Sequence, residues 1–186
     1  MSQLSEFRRM NQQRMFIGLG GNLGNRSAHL DAALAQLTGA FGSPVGVSPR
    51  YETPAWGMPQ GTPSFLNQVV AFTAPAGVLP EQILDFLLTV EREMGRVREP
   101  SLDAYQNRTI DCDLLLFEGH DAPHQSERLT LPHPRLAHRR FVLQPLADIA
   151  PKVKVPGWGG TVESLLASCK DPSRLTRIPS STPEQA

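Results

Sequence analysis

Two aspartates placed two residues apart have the clearest chemical potential in this sequence. Asp111 and Asp113 stand in the run 108–117, whose apolar and β-branched residues predict a buried strand. Side chains alternate between the faces of a strand, so we expect both carboxylates on one face. Neighbouring carboxylates repel each other and are costly to bury, and a divalent cation such as Mg²⁺ relieves both problems. The pair therefore predicts a metal site, although a D-x-D pattern also occurs on solvated surfaces.

Arginines flank this predicted strand. Arg96 and Arg98 stand near the start of the loop 95–107 and Arg108 directly follows it, and the chain has 15 Arg against 3 Lys. Guanidinium groups bind phosphate oxygens in a bidentate geometry and stabilise the charge that develops in phosphoryl-type transfer. A solvated charged loop is the alternative interpretation, but the adjacent aspartates favour a catalytic one.

Three further segments suggest ligand contacts. The loop 51–57 and the run 65–67 combine aromatic rings with an amide, which suits a flat heterocycle. In 129–141, His133 stands between two prolines in an extended segment and could donate to a phosphate, while Phe141 could stack on a ring. For each aromatic residue, and for His133, ordinary packing is the alternative.

The glycine-rich run 18–24 follows a predicted strand and precedes a predicted helix, as in dinucleotide-binding proteins. The spacing does not fit that fingerprint, because Leu23 stands where the third glycine is required. The sequence also has no Walker phosphate-binding motif. The run is better interpreted as a tight turn that lets the backbone approach a ligand or a neighbouring segment closely.

These groups need a scaffold, and hydrophobic periodicity predicts one. The pattern gives the order β-α-β-β-α-β, with strands at 15–19, 45–51, 65–73 and 110–117 and helices at 26–38 and 80–94. This order predicts an α+β domain of the ferredoxin-like type, in which an antiparallel sheet carries helices on one face. A C-terminal extension with short helical pieces at 134–140 and 161–168 follows.

Composition sets the outer limits. With 186 residues, 40% of them hydrophobic, the chain suits one domain, expected at 15–170 between a flexible leader at 1–14 and a disordered tail at 171–186. A formal net charge of zero argues against a polyanion-binding surface. No secretory signal or membrane span is recognisable, so we expect a cytoplasmic protein that binds neither nucleic acid nor membrane.

Taken together, the motifs resemble the 6-hydroxymethyl-7,8-dihydropterin pyrophosphokinase family of folate biosynthesis. The resemblance covers roughly 15–166 and rests on the runs 18–24, 51–54, 65–67, 95–98, 108–114 and 129–135 together with Glu91. It implies transfer of the β,γ-pyrophosphoryl group of ATP, the co-substrate, to the hydroxymethyl oxygen of a dihydropterin, with release of AMP. It also leads us to expect a monomer whose partners are these two small molecules.

The resemblance further implies residue roles. Asp111 and Asp113 would hold two Mg²⁺ that bridge the triphosphate and the attacking oxygen. Arg96 and Arg108 would stabilise the transferring phosphates, with Arg98 helping from its loop. Other positions lining the ATP site are Glu91, Tyr105, Leu114, Thr130, His133 and Arg139. The pterin would meet Thr53, Pro54 and Asn67 at its edge, Trp56 nearby, and the rings of Phe65 and Phe141 on its two faces.

The sequence departs from the family pattern in one segment, and two other functions are alternatives to the pyrophosphokinase activity. The run 103–108 replaces the Arg-Trp-Gly-Pro-Arg usual in that family, which changes how the preceding loop bends and closes. A non-catalytic nucleotide-binding regulatory module could share the scaffold, and it would bind ATP without releasing AMP. An RNA-binding module would need aromatic residues on its central strands and a basic face, and the first strand and zero net charge argue against it.

Overall fold

An antiparallel sheet forms the centre of the computed structural model, which describes residues 13–96, 106–118 and 122–179. The strands are β1 (Arg14–Gly21), β2 (Gly46–Val47), β3 (Arg50–Thr53), β4 (Phe65–Thr73), β5 (Asp111–Phe117), β6 (His124–Gln125), β7 (Thr130–Leu131), β8 (Lys154–Val155), β9 (Gly160–Thr161) and β10 (Thr176–Ile178). The main sheet has the order β10-β3-β4-β1-β5, and β2 pairs with part of β4. The other strands form two small hairpins. The mixed fold with an antiparallel sheet is therefore confirmed.

Helices cover both faces of this sheet. They are α1 (Arg26–Phe41), α2 (Pro80–Glu93), α3 (Arg140–Ile149) and α4 (Val162–Ser168), with a 3₁₀ turn at Leu136–His138. Each face of the sheet has its own hydrophobic core, and alternate residues of β1 contribute to each. Met15 and Ile17 face α1 and α2, whereas Phe16 faces α3 and α4. The two helices of the predicted β-α-β-β-α-β unit share one face, and the C-terminal extension covers the other.

The ends of the first two helices follow from local chemistry. Asn25 caps α1, because its side-chain oxygen accepts a hydrogen bond of 3.1 Å from the backbone N–H of Ala28. Pro80 occupies the first turn of α2, where a missing N–H is harmless, and Gln82 accepts from the N–H of Leu79. Both starts agree with the sequence prediction.

The glycine-rich run departs from its predicted conformation. Gly18 and Gly20 lie within β1, which continues to Gly21, because the glycine backbone pairs with β4 on one side and β5 on the other. Gly18 already stood in the predicted strand 15–19, and the predicted tight turn is wrong for Gly20 and Gly21. The close approach to a neighbouring segment is confirmed at Gly21, since a Cβ placed there would lie 2.2 Å from the carbonyl oxygen of Thr109.

Other boundaries also differ from expectation. The strand predicted at 45–51 is divided into β2 and β3 around Pro49, which has no N–H to donate to the ladder. The predicted helix at 134–140 is a 3₁₀ turn followed by α3, a helix that contains Pro145 and is therefore hard to recognise from sequence. The predicted start at residue 15 is one residue late, because Arg14 belongs to β1 and binds Glu118 at 2.6 Å.

Disorder was predicted for 171–186, and this is wrong for Thr176–Ile178. These residues form β10, which pairs antiparallel with β3 at the edge of the sheet. Backbone pairing needs no apolar pattern, which is why the composition of the segment did not reveal it. Within the described ranges, none of the helices is long and apolar enough to cross a membrane.

We predict that Gly21→Ala destabilises the protein, because its new Cβ would meet the backbone oxygen of Thr109. The free energy of unfolding, measured by chemical denaturation, should fall by about 1 to 3 kcal/mol. Gly39→Ala is the matched control, since a Cβ at this α1 position meets nothing within 4 Å and should stabilise the helix slightly. Equal effects of the two substitutions would contradict the close approach.

Candidate active site

The floor of the candidate site is formed by two neighbouring strands. Asp111 and Asp113 project from one face of β5, while Cys112 between them is buried in the core on the other. In the adjacent β1, Gly20 pairs with Asp111 and Gly18 with Asp113. Because these partners have no side chains, the space beside the carboxylates stays open. Sequence reasoning missed this role, and the signal was present: the glycines share the two-residue spacing of the aspartates.

A pocket of about 680 Å³, counting its open mouth, lies above this floor. This size is typical of small-molecule sites. Every residue predicted for the pterin lines it, and so do both aspartates and two of the predicted arginines; together they are Thr53, Pro54, Trp56, Phe65, Asn67, Phe141, Asp111, Asp113, Arg108 and Arg139. The structure therefore brings residues from β3, β4, β5 and the start of α3 around one cavity.

Arginines surround Asp111. Arg108 Nη1 donates to Asp111 Oδ2 at 2.7 Å, and Arg96 Nη1 donates to Asp111 Oδ1. Burial opposes ionisation of Asp111, but the charges of Arg108 and Arg96 outweigh it and lower the pKa of the carboxyl. The Arg108 guanidinium also lies 5.3 Å from the centre of the Phe65 ring. Asp111 is thus held as a carboxylate beside the aromatic end of the pocket.

Asp113 has a different environment. Burial and the nearby charge of Asp111 raise the pKa of Asp113 to about 7. Arg139 opposes this shift from a distance, because its Nη1 lies 3.9 Å from Asp113 Oδ2. The same guanidinium lies 5.7 Å from the ring centre of Trp56 and 5.6 Å from that of Phe141. Arg139 therefore joins the acidic and aromatic parts of the pocket.

Several predicted residues do not line this pocket. Glu91 is 2% exposed, and its Oε1 accepts from Arg96 Nη1 at 2.5 Å and from the Cys112 N–H at 2.9 Å, so it supports Arg96 and β5. Leu114 is a core residue and Thr130 is half-buried in β7. His133 is half-buried, and burial together with nearby arginines lowers its pKa to about 4. Arg98 and Tyr105 lie outside the described residues.

Asn22 is a second contributor that sequence reasoning missed. Its amide nitrogen donates to the Pro63 carbonyl at 3.2 Å and to Asn107 Oδ1 at 2.7 Å. Its amide oxygen accepts from the backbone N–H of Arg108 at 2.9 Å. Asn22 thereby links three segments of chain at the base of Arg108, a long-range role that no local sequence pattern indicates.

The pocket thus joins two chemical environments. One end offers carboxylates and guanidinium groups, which suit a cation and phosphate oxygens. The other end offers aromatic rings and the Asn67 amide, which donates to Thr53 Oγ1 at 2.8 Å. This end suits a flat ring with hydrogen-bonding groups on its edge.

We predict that Asp113 titrates near pH 7 in the metal-free protein, which carboxyl NMR signals would show. Its unfolded-state pKa is lower, so the carboxylate disfavours the folded state above pH 7, and this penalty is relieved as the pH falls. As the pH falls from 8 to 5, the free energy of unfolding of wild type should therefore rise relative to that of Asp113→Asn. A signal titrating near pH 4 would contradict the assigned environment.

Comparison with known proteins adds a family-level finding. The model of the family described as 7,8-dihydro-6-hydroxymethylpterin-pyrophosphokinase (HPPK) matches residues 16–151. A 2-amino-4-hydroxy-6-hydroxymethyldihydropteridine pyrophosphokinase of Porphyromonas gingivalis is 40% identical over 137 residues, which cover 74% of this chain and 90% of the relative. A relative of the same name in Methylorubrum extorquens is 39% identical over 166 residues, covering 89% of this chain and 98% of the relative.

Solved structures share the fold at low identity. An HPPK-DHPS in complex with substrates aligns with a TM-score of 0.65 and 14% identity, covering 84% of this chain and 43% of that one. The wild-type HPPK-DHPS of Plasmodium falciparum with pteroate gives a TM-score of 0.64 at 14% identity, covering 85% and 42%. This chain therefore spans less than half the length of those structures, and the likeness concerns the fold alone.

Proposed function

This chain belongs to the 7,8-dihydro-6-hydroxymethylpterin-pyrophosphokinase family, and we propose that it transfers pyrophosphate from ATP to the hydroxymethyl group of 6-hydroxymethyl-7,8-dihydropterin, releasing AMP, in folate biosynthesis. One observation carries the proposal for this chain's own residues. A single pocket joins the Asp111–Asp113 pair and its arginines to a wall of aromatic and amide groups. Such a pocket can bring a phosphate chain and a flat ring into contact.

The acidic end fits magnesium and a triphosphate. Asp111 and Asp113 would hold Mg²⁺, which supplies charge neutralisation along the phosphates, and we infer two ions. Two carboxylates are a typical protein contribution to such ions, since phosphates and water complete the coordination. Asp111 is already ionised, whereas Asp113 must give up its proton to bind a cation.

The arginines would act on the phosphates. Arg96 and Arg108 now pair with Asp111, and on substrate binding their remaining N–H groups would contact the transferring pyrophosphoryl oxygens. Arg108 lies over Phe65, so its charge is at the boundary between the two ends of the pocket. We assign Arg98 and Tyr105 to the loop that would close over ATP. Thr130, His133, Leu114, Glu91 and Arg139 would support or line the nucleotide side.

The aromatic end would hold the pterin. The bond from Asn67 to Thr53 fixes the orientation of the amide that would read the ring edge beside Pro54. Phe65 and Phe141 would cover its two faces. The Trp56 ring lies 6.5 Å from that of Phe141 and is tilted by 55°, so it would shield the same site. Burial of the reacting groups and correct alignment then provide the catalysis, because this transfer needs no covalent enzyme intermediate.

We infer a ferredoxin-like core of β1, α1, β3, β4, α2 and β5, which the sheet order β3-β4-β1-β5 supports. We expect a cytoplasmic monomer whose domain includes both β1 and β10. We expect it to bind ATP and the dihydropterin, and neither nucleic acid nor membrane.

Product analysis tests the reaction. Purified protein with ATP, Mg²⁺ and the dihydropterin should release AMP only when the pterin is present, and Asp113→Ala should abolish this turnover because a metal-binding carboxylate is lost. Asp85→Ala is the matched control, since Asp85 is exposed on α2 and pairs with Arg128. ADP as the product would indicate an ordinary kinase, and bound ATP without turnover would favour a regulatory module. Full activity of Asp113→Ala would refute the metal assignment.

The aromatic wall gives a second test. We predict that Phe141→Leu raises the KM for the dihydropterin about tenfold, because base-like rings gain about 1 to 3 kcal/mol from stacking on an aromatic side chain. The KM for ATP should stay close to the wild-type value. Trp158→Phe, at an exposed position outside the pocket, serves as the control. An unchanged pterin KM in Phe141→Leu would show that this ring does not contact the pterin.

A further inference from the structure

A segment outside the matched family region reaches two walls of the pocket. The family model ends at residue 151, and the chain from Cys169 to Ile178 follows it. This segment contacts the start of α3 through Asp171 and the outer edge of β3 through β10. Both elements carry predicted pterin residues: Phe141 lies in the first turn of α3, and Thr53 ends β3.

Asp171 supplies the cap that α3 lacks locally. The residue before the helix, Arg139, makes no side-chain capping hydrogen bond. Instead Asp171 Oδ2, from 31 residues further along the chain, accepts from the Arg140 N–H at 2.9 Å. Its other oxygen accepts from the Ser173 N–H at 2.9 Å, and the residue is only 6% exposed. A carboxylate at a helix N-terminus both satisfies an N–H and interacts favourably with the helix dipole.

The contact is reinforced by the side chain of Arg140. Its Nε donates to the Asp171 carbonyl at 3.0 Å, and its Nη2 donates to the Cys169 carbonyl at 3.4 Å. Backbone and side chain of Arg140 are therefore both bound to the same segment. The residues on either side of it are Arg139 and Phe141, so the backbone from which their side chains enter the pocket is fixed at its midpoint.

The other end of α3 is tied to the pocket as well. Tyr51 in β3 donates its hydroxyl to Asp148 Oδ2 at 2.7 Å, and burial with this bond raises the Tyr51 pKa to about 12, so it remains a donor. β10 pairs Arg177 with Tyr51 and Thr176 with Glu52, directly before Thr53. The segment 169–178 thus contacts both α3 and β3, the two elements that bring Phe141 and Thr53 to the pocket.

We propose that Asp171 is a positioning residue for the pterin: by capping α3 it holds Arg139 and Phe141 in the orientation that forms one wall of the pocket. Asp171 itself touches no substrate. The inference rests on the proposed function, and it assigns a role in that reaction to a segment that the family match does not include. It predicts an effect on pterin binding that a purely structural contact would not produce.

The test compares the kinetics of full-length wild type, Asp171→Ala and Asp171→Asn under conditions where each is folded. We expect about a tenfold rise in the KM for the dihydropterin in Asp171→Ala, with kcat less affected, because loss of a cap releases the first turn of α3. Asp171→Asn keeps a neutral acceptor but loses the negative charge at the N-terminus of α3, and should raise KM about threefold. Glu163→Gln, an exposed acidic residue of α4 that pairs with Lys152, is the control and should behave as wild type.

A double-mutant cycle shows whether the effect passes through the aromatic wall. In the Phe141→Leu background the substitution of Asp171 should add little to the pterin KM, because the side chain it positions is already altered. Full additivity of the two effects would overturn the proposal.

The remaining outcomes separate the two claims. Wild-type protein without pterin-dependent AMP would overturn the proposed function and the inference with it. If the wild-type protein turns over but Asp171→Ala has an unchanged pterin KM, the inference alone is overturned, even if the melting temperature of the variant falls. If Asp171→Ala does not fold, Asp171→Asn decides: a raised pterin KM supports the positioning role, and a wild-type KM refutes it.

Discussion

The repulsion between two carboxylates on one face of β5 is the constraint around which the site is organised. The charges of Arg96 and Arg108 lower the pKa of Asp111 and leave it ionised. Asp113 is stabilised less by Arg139, at 3.9 Å, and by Arg108, so it holds its proton up to about pH 7. The pair is therefore asymmetric before any ligand binds. A cation entering the pocket would find one carboxylate ready and would displace a proton from the other.

The surrounding structure serves this pair in two ways. Glycines in β1 leave the space in front of the carboxylates empty, and Glu91 and Asn22 fix the arginines from behind. Glu91 and Asn22 are both buried, so their hydrogen bonds stabilise the site more than exposed contacts of the same kinds would. The charged groups of the pocket are thus held in place by buried contacts from the interior.

The sequence indicated the local features and missed the long-range ones. The strands at 65–73 and 110–117, the capped start of α1 and the shared face of the aspartates all follow from periodicity and short-range chemistry, and the structure confirms them. The strand position of Gly20, the bridging role of Asn22 and the pairing of β10 depend on partners far along the chain. No local pattern encodes a partner's position, so these could not be read in advance. The roles of individual site residues remain predictions.

The central place of β1 has a consequence for how the protein forms. It is the earliest strand in the chain, yet its two neighbours are β4 and β5, and the pair Met15 and Phe117 joins residues about a hundred positions apart. Contacts of such long sequence separation make folding slow, because the entropy of closing a long loop is lost before the strand pairing stabilises the chain. During synthesis β1 therefore has no strand to pair with until β4 and β5 have left the ribosome, and the pocket can form only after that point.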